Sequence, residues 1–280
     1  MSRWRAALVL SGFVLMTLPG LPLQQLLIWT STKAARRFPY LYHRAVTRLL
    51  GIRLRISGAP VTGRACLIAV NHVSWLDIPI LSAVTPLSFI SKREVATWPF
   101  FGTLARLQRS VFIDRDRRHA TAASRDELKA RLTARDTLAL FAEGTSSDGA
   151  RVLPFKSAFF AAAETPGVLV QPVTLAYRGH WGAPMTRRRR PFYAWYGDMD
   201  IGPHLWEALA LGPIEVEIIC HEPLTIAEAG SRKALARLAE DAVRRGLVGA
   251  LTGRDCRAGS LVRKNAIGEP RSQPLPDPAA

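Results

Sequence analysis

Acidic residues are scarce in this chain: 22 Asp and Glu stand against 38 Lys and Arg in 280 residues, for a net charge of +16 and an isoelectric point of about 10.9. Such an imbalance favours association with a polyanion, either anionic lipid headgroups or nucleic acid. Cysteine is nearly missing as well. Cys66, Cys220 and Cys256 are odd in number and form no C-x-x-C pair, which excludes a disulfide framework and points to a reducing compartment. No His and Cys residues cluster closely enough for zinc, so no metal is expected. No recognised nucleic-acid motif accompanies the arginines, which leaves a membrane-anchored nucleic-acid-binding protein as the rival from another class. No serine sits in a G-x-S-x-G setting, so Ser74 reads as a helix-start residue rather than a nucleophile. No internal repeat is evident.

What is abundant is apolar sequence, 48% of the chain. Ala6 to Ile28 carries no charge, and as one helix it would run about 34 Å, long enough to cross a bilayer core. Pro19, Gly20 and Pro22 interrupt it. No small-residue cleavage site follows, and Lys33, Arg36 and Arg37 come directly after, which argues against a signal peptide. Arg3 and Arg5 flank the other end, so both ends are expected on the cytoplasmic face and the segment is expected to dip into the membrane as a broken helix, with a single span as the alternative. Ile28 to Leu50 mixes aromatic and basic residues and suits either a membrane interface or a helix packed on a domain.

The stretch Asn71-His72-Val73-Ser74-Trp75-Leu76-Asp77 follows an apolar run, Ala65 to Val70, that reads as a buried strand. A histidine and an aspartate therefore stand where a strand gives way to the next element, the crevice in which open α/β sheets build their sites. An imidazole can take a proton near neutral pH, and a carboxylate can fix its tautomer. Five residues apart on one helix the two side chains would face different ways, so His72 is expected in the turn and Asp77 in the first helical turn, reaching back. The bland reading is a satisfied core histidine and a helix cap. Two further stretches, Asp114-Arg115 after Val111-Phe112-Ile113 and Phe141-Ala142-Glu143-Gly144-Thr145-Ser146-Ser147 after Thr137 to Leu140, also end strand-like runs and can converge on one sheet edge.

Together these residues resemble the 1-acylglycerol-3-phosphate acyltransferase family, with blocks N-H-x-x-x-x-D, G-x-x-F-I-x-R, F-P-E-G-T-R-S and a later apolar strand containing proline. Asn71, His72 and Asp77 match the first block; Phe112, Ile113 and Arg115 the second; Phe141, Glu143, Gly144, Thr145 and Ser147 the third; Val170 to Val173, with Pro172, the fourth. The resemblance runs from about Ile52 to Leu224. It implies a membrane-bound O-acyltransferase of phospholipid biosynthesis, with His72 as general base, Asp77 orienting it and no acyl-enzyme intermediate. The donor would be acyl-CoA or acyl-carrier protein, used as co-substrate with no further cofactor, and the acceptor a lysolipid, foremost 1-acylglycerol-3-phosphate. Arg115, Glu143, Gly144, Thr145 and Lys156 would bind substrate. Three positions depart from the pattern. Arg109 stands where glycine is usual, Ala142 replaces the proline, and Ser146 replaces the arginine of the third block. Losing that guanidinium makes a phosphate-free acceptor, such as a lyso-ornithine lipid, a rival. An acyl-thioester hydrolase using the same histidine with water is another.

The remaining chain fits an α/β fold, a single mixed sheet flanked by helices, behind the N-terminal membrane-associated segment. Expected boundaries are an anchor over 1–50, the acyltransferase domain over 51–251 and a disordered tail over 252–280, where periodicity gives way to Pro, Gly and Arg. Leu87 to Ser91 and Ile214 to Ile219 read as strands, with Lys92 a solvated strand-end charge. Trp98, Phe100, Phe101 and Leu104 read as core, or as lining for an acyl chain. Pro172 suggests an edge strand or bulge. Lys156 is expected to reach an anion at the start of an Ala/Phe-rich helix. Arg187 to Arg190 reads as a solvated loop or a contact for anionic lipid. Ala227 to Leu251 is expected to form one closing helix.

Overall fold

The computed structural model describes residues 2–113 and 122–253. The expected tail and Arg115, with the neighbouring Arg117 and Arg118, fall outside the described residues, apart from Thr252 and Gly253. Apolar runs become the strands of one sheet: β1 (Ile52–Ser57), β2 (Cys66–Val70), β3 (Ser88–Lys92), β4 (Val111–Ile113), β5 (Thr137–Phe141), β6 (Leu169–His180) and β8 (Ile214–Cys220), with a two-residue β7 (Ala183–Pro184) hairpinned onto β6. Their order is β1-β8-β6-β2-β5-β3-β4. The block from β6 to β4 is parallel, β8 runs antiparallel to β6, and β1 is parallel to β8, so the sheet is mixed. Side chains alternate between its two faces. Ile68 and Val70 join one core, which α1 (Arg3–Thr30), α2 (Thr32–Leu50), α3 (Asp77–Ser82) and α6 (Ile201–Leu211) cover. Leu67 and Ala69 join the other, beneath α5 (Ala122–Thr133) and α8 (Arg232–Thr252).

Three expectations need correction. Pro19, Gly20 and Pro22 do not interrupt α1, which is one helix of 28 residues. Each proline removes one backbone hydrogen bond. Packing on α2 holds the helix through that gap: Thr17 Oγ1 lies 2.6 Å from the Tyr42 hydroxyl and Gly20 lies against Phe38. Pro172 sits in the interior of the sheet, not on an edge, since β6 pairs with β2 on one side and β8 on the other. It is tolerated because its carbonyl, and therefore its missing N–H, faces the β8 side where that strand has already ended: the last β8 pair is Val173 with Cys220, and the Pro172 carbonyl accepts from His221 N at 3.0 Å. The closing helix is two pieces, α7 (Ile226–Ala229) and α8, because Gly230 takes φ of 77° and Ser231 caps α8 through a bond from Ala234 N. Only glycine adopts that left-handed conformation without strain.

The two N-terminal helices form an antiparallel pair. Gln24 Nε2 donates to Ala35 O at 2.9 Å near the Ser31 turn, and Arg5 Nη2 donates to Leu50 O at 2.8 Å at the open end. Gly51, with φ of 76°, ends α2 and turns the chain into β1.

Candidate active site

The parallel strands β2, β3, β5 and β6 all end on one edge of the sheet, and each exit contributes to the site. At the β2 exit, Asn71 is fully buried and its side chain bridges to β6: Nδ2 donates to Leu175 O at 2.9 Å, and Leu175 N donates to Oδ1 at 2.8 Å. That clamp fixes the next residue, His72, in the turn before α3. Asp77 opens α3 and is fully buried. Its Oδ2 lies 2.8 Å from His72 Nδ1 and also accepts from Val73 N at 2.7 Å and Ser74 N at 3.0 Å. Its Oδ1 accepts from the Tyr177 hydroxyl at 2.7 Å. Four donors offset the desolvation of the carboxylate. A carboxylate only accepts, so the shared hydrogen belongs to Nδ1, and Nε2 of the neutral ring is left with its lone pair. The His72 ring stacks on Phe141 from the β5 exit, with centroids 3.8 Å apart.

After Phe141 the chain turns sharply at Gly144, φ 76°, and the segment is tied back to His72: Ser147 N donates to the His72 carbonyl at 2.9 Å. Among the described residues nothing accepts from the amides of Thr145 and Ser146, both of which line the cavity described below. Glu143 points the other way. It is 2% exposed, and neither carboxylate oxygen has a bonded partner among the described residues. Burial pushes its carboxyl up to about 8, and the Asp77 and Glu240 charges add to this, while the nearby amides of Leu153 and His72 pull it part of the way back. Glu143 thus sits buried behind the loop and outside the lining of the cavity described below, with its carboxyl held above the ordinary carboxylate range. Lys156 is exposed, and its amine folds over the Gly144 turn and the Phe159 ring. The Ala/Phe-rich segment after it is a 3-10 helix, Ser157–Glu164, with Lys156 at its N-cap.

Two residues have roles here that their local sequence does not show. Tyr177 lies at the end of an apolar strand, and a fully buried tyrosine needs a partner for its hydroxyl, which was the available signal. Arg190 is the other. It was expected in a solvated run, yet it is 9% exposed and donates to Gly149 O at 3.1 Å, holding the far end of the loop that begins at Glu143; Arg187 to Arg189 are exposed.

His72 is 19% exposed and stands at the mouth of an apolar cavity of about 680 Å3 between the domain and the α1–α2 pair. That volume suits a lipid-sized ligand. Phe13 and Val14 of α1, Phe38 of α2, and Trp98, Phe100 and Phe101 line it. The last three are therefore cavity wall, with Trp98 and Phe100 partly exposed, rather than core. Lys92 stands at the rim. Among the described residues no group of three His, Cys, Asp or Glu side chains is arranged to hold a metal ion.

Residues 53–176 match the Acyltransferase family. A lyso-ornithine lipid O-acyltransferase of Brucella abortus (strain 2308) is 45% identical over 258 residues, 90% of this chain and 97% of that protein. A 1-acyl-sn-glycerol-3-phosphate acyltransferase of Neisseria meningitidis serogroup B is 34% identical over 204 residues, 72% of this chain and 77% of that one. In fold, the chain is similar to the crystal structure of the 1-acyl-sn-glycerophosphate acyltransferase of Thermotoga maritima, with a TM-score of 0.65 at 21% identity over 89% of this chain and 97% of that one.

Proposed function

The chain belongs to the Acyltransferase family, and from that premise we propose that it transfers a fatty acyl group from a thioester of coenzyme A or acyl-carrier protein to the hydroxyl of a lyso-ornithine lipid. The observation that carries the chemistry is the His72–Asp77 pair, 2.8 Å apart, at the mouth of an apolar cavity. The acceptor hydroxyl gives its proton to His72 Nε2 as its oxygen attacks the thioester carbonyl. Asp77 holds the ring through Nδ1 and stabilises the imidazolium. The free amides of Thr145 and Ser146 face the developing oxyanion. On collapse, the thiolate leaves and takes the proton from the ring. No bond between acyl group and enzyme forms.

Two observations support a lyso-ornithine acceptor: lyso-ornithine lipid O-acyltransferases share 45% and 38% identity with the chain over nine-tenths or more of its length, and Ser146 carries no charge where a guanidinium would meet a phosphate. The second reading is 1-acylglycerol-3-phosphate, favoured by Lys92 in the cavity lining, by Lys156 against the Gly144 turn and by the Neisseria relative. One membrane preparation offered both acceptors and one acyl donor separates them. Acylation of the ornithine lipid in preference is expected; preference for the glycerophosphate reverses the assignment, and thioester loss without any acceptor makes the protein a hydrolase.

The attachment we propose is monotopic, on the cytoplasmic face. Both ends of α1 are tied to the catalytic domain, by Ser2 N to Ala210 O at 3.3 Å and Arg5 to Leu209 O at one end, and by Gln24 Nε2 to Leu107 O at 2.9 Å at the other. A span would break these bonds. The outward row Trp4, Leu8, Leu15, Leu18, Leu26 and Trp29 is exposed and suits the acyl-chain region of one leaflet. Basic residues at both ends favour the cytoplasmic side.

A further inference from the structure

A second concavity, about 420 Å3, opens at the other edge of the sheet, between α2 and the starts of β3 and β5. The length of a five-residue strand, about 16 Å, separates it from the catalytic edge. Among the described residues Asp136 is the one carboxylate in its wall, and its side chain is 3% exposed. Three guanidiniums converge on that carboxylate: Arg36 at 2.6 Å, Arg109 at 3.1 Å, and Arg131. Arg131 is fully engaged, donating also to Ser88 Oγ at 2.9 Å and Arg109 O at 2.8 Å. The other two are not. Among the described residues Arg36 Nε is buried without a partner, while its Nη2 also donates to Ala134 O at 3.2 Å, and Asp136 is the one acceptor of the Arg109 side chain. Exposed Arg135 adds a fourth cation at the rim.

Three cations on one carboxylate leave an excess of two positive charges at a largely buried place. Burial and then the Arg131 charge lower the pKa of Arg109, while the Asp136 charge and hydrogen bond pull it part of the way back. Arg109 also holds φ of 60°, a conformation that costs a residue with a side chain about 1 kcal/mol and glycine almost nothing. An ion pair with Asp136 needs neither the third guanidinium nor the strained position.

We propose that this concavity is a phosphate-binding subsite in which Arg36, Arg109 and Arg135 take the phosphate oxygens of an anionic membrane lipid. Guanidiniums suit that task because they bind phosphate through paired N–H groups. The lipid source follows from position. Arg36 lies on α2 between Lys33 and Arg37, beyond the Ser31 bend that follows exposed Trp29, which on the monotopic attachment proposed above puts the subsite at headgroup depth. A phosphate held by Arg36 and Arg109 would join α2 to the domain alongside Asp136. The subsite is independent of the acceptor and of His72.

The test uses the full chain in nanodiscs of phosphatidylcholine, titrated with inorganic phosphate against chloride at matched ionic strength and followed by calorimetry and thermal unfolding. A parallel arm replaces part of the phosphatidylcholine with phosphatidylglycerol. Phosphate is expected to bind and stabilise beyond chloride. Arg109→Gly, which relieves the backbone, and Arg36→Gln should each weaken binding by about tenfold or more, the worth of one charge-assisted hydrogen bond. Asp136→Asn should tighten it, because a competing anion is gone. If phosphatidylglycerol stabilises the natural chain and not Arg109→Gly, the ligand is the lipid headgroup; if free phosphate alone does so, the subsite holds a soluble phosphate. If phosphate acts no differently from chloride and Arg109→Gly, folded by circular dichroism, behaves as the natural chain, the cluster is an internal ionic clamp and the proposal fails. Loss of acyl transfer to either lysolipid would not bear on these readings.

Discussion

Replacing Glu143 with glutamine should make the protein more stable, and the gain should grow with pH. In an unfolded chain this carboxyl has the ordinary value of 4.5; in the fold it is pushed up to about 8. Below about pH 4.5 both states are protonated and the residue contributes nothing to pH dependence. Between the two values the unfolded chain has released the proton and the fold still holds it, so stability falls by about 1.4 kcal/mol for each pH unit. Above pH 8 both are ionised and the deficit is constant, with a ceiling of about 5 kcal/mol for a gap of about 3.5 pH units. Structural relaxation and water entry reduce this to a few kcal/mol. Glutamine keeps the shape of the neutral acid and cannot ionise. Thermal and denaturant unfolding of Glu143→Gln and the natural protein, measured side by side from about pH 4 to about pH 9, should therefore coincide at the acid end and diverge toward the alkaline end, the variant being the more stable. Parallel curves, or a variant that loses ground as pH rises, would show that Glu143 is ionised in the fold and that its role as a neutral acid is wrong.

Two further outcomes follow from the site. His72→Ala should lower acyl transfer by about a hundred- to ten-thousand-fold, the usual worth of a positioned general base, with co-sedimentation on vesicles unchanged; near-normal turnover of the purified variant would remove His72 from the chemistry. Tyr177→Phe strips Asp77 Oδ1 of its donor at 2.7 Å and should cost about 1.5 to 3 kcal/mol in stability. It should also lower kcat with little change in KM, since Tyr177 touches Asp77 and not substrate; an unchanged kcat with reduced stability would make the tyrosine a packing residue alone.

Residues whose surroundings come from nearby sequence were legible, and those held by distant partners were not. The strands β2, β3, β5 and β8 announce themselves as short apolar runs ended by polar turns, and the His72-to-Asp77 spacing admits one arrangement around a turn. The continuity of α1 depends on α2, so two prolines and a glycine misled. Pro172 is tolerated inside the sheet because a strand some fifty residues later ends opposite it, which no local pattern records. Arg190 looked like the rest of an arginine run until Gly149 supplied its acceptor. The Asp136 cluster draws on α2, α5 and two turns at once, and each arginine, taken singly, resembles ordinary surface charge.

The Arg5 side chain has a practical consequence for anyone preparing this protein. It donates to the last carbonyls of two helices, Leu50 of α2 and Leu209 of α6, while Phe13, Val14 and Thr17 farther along α1 panel the cavity. Deleting the first thirty residues to obtain a detergent-free fragment would leave two helix ends without their cation and one side of the apolar cavity open to water. The N-terminal helix is thus one wall of the apolar cavity, and a shortened fragment without activity would say nothing about His72 at the other wall.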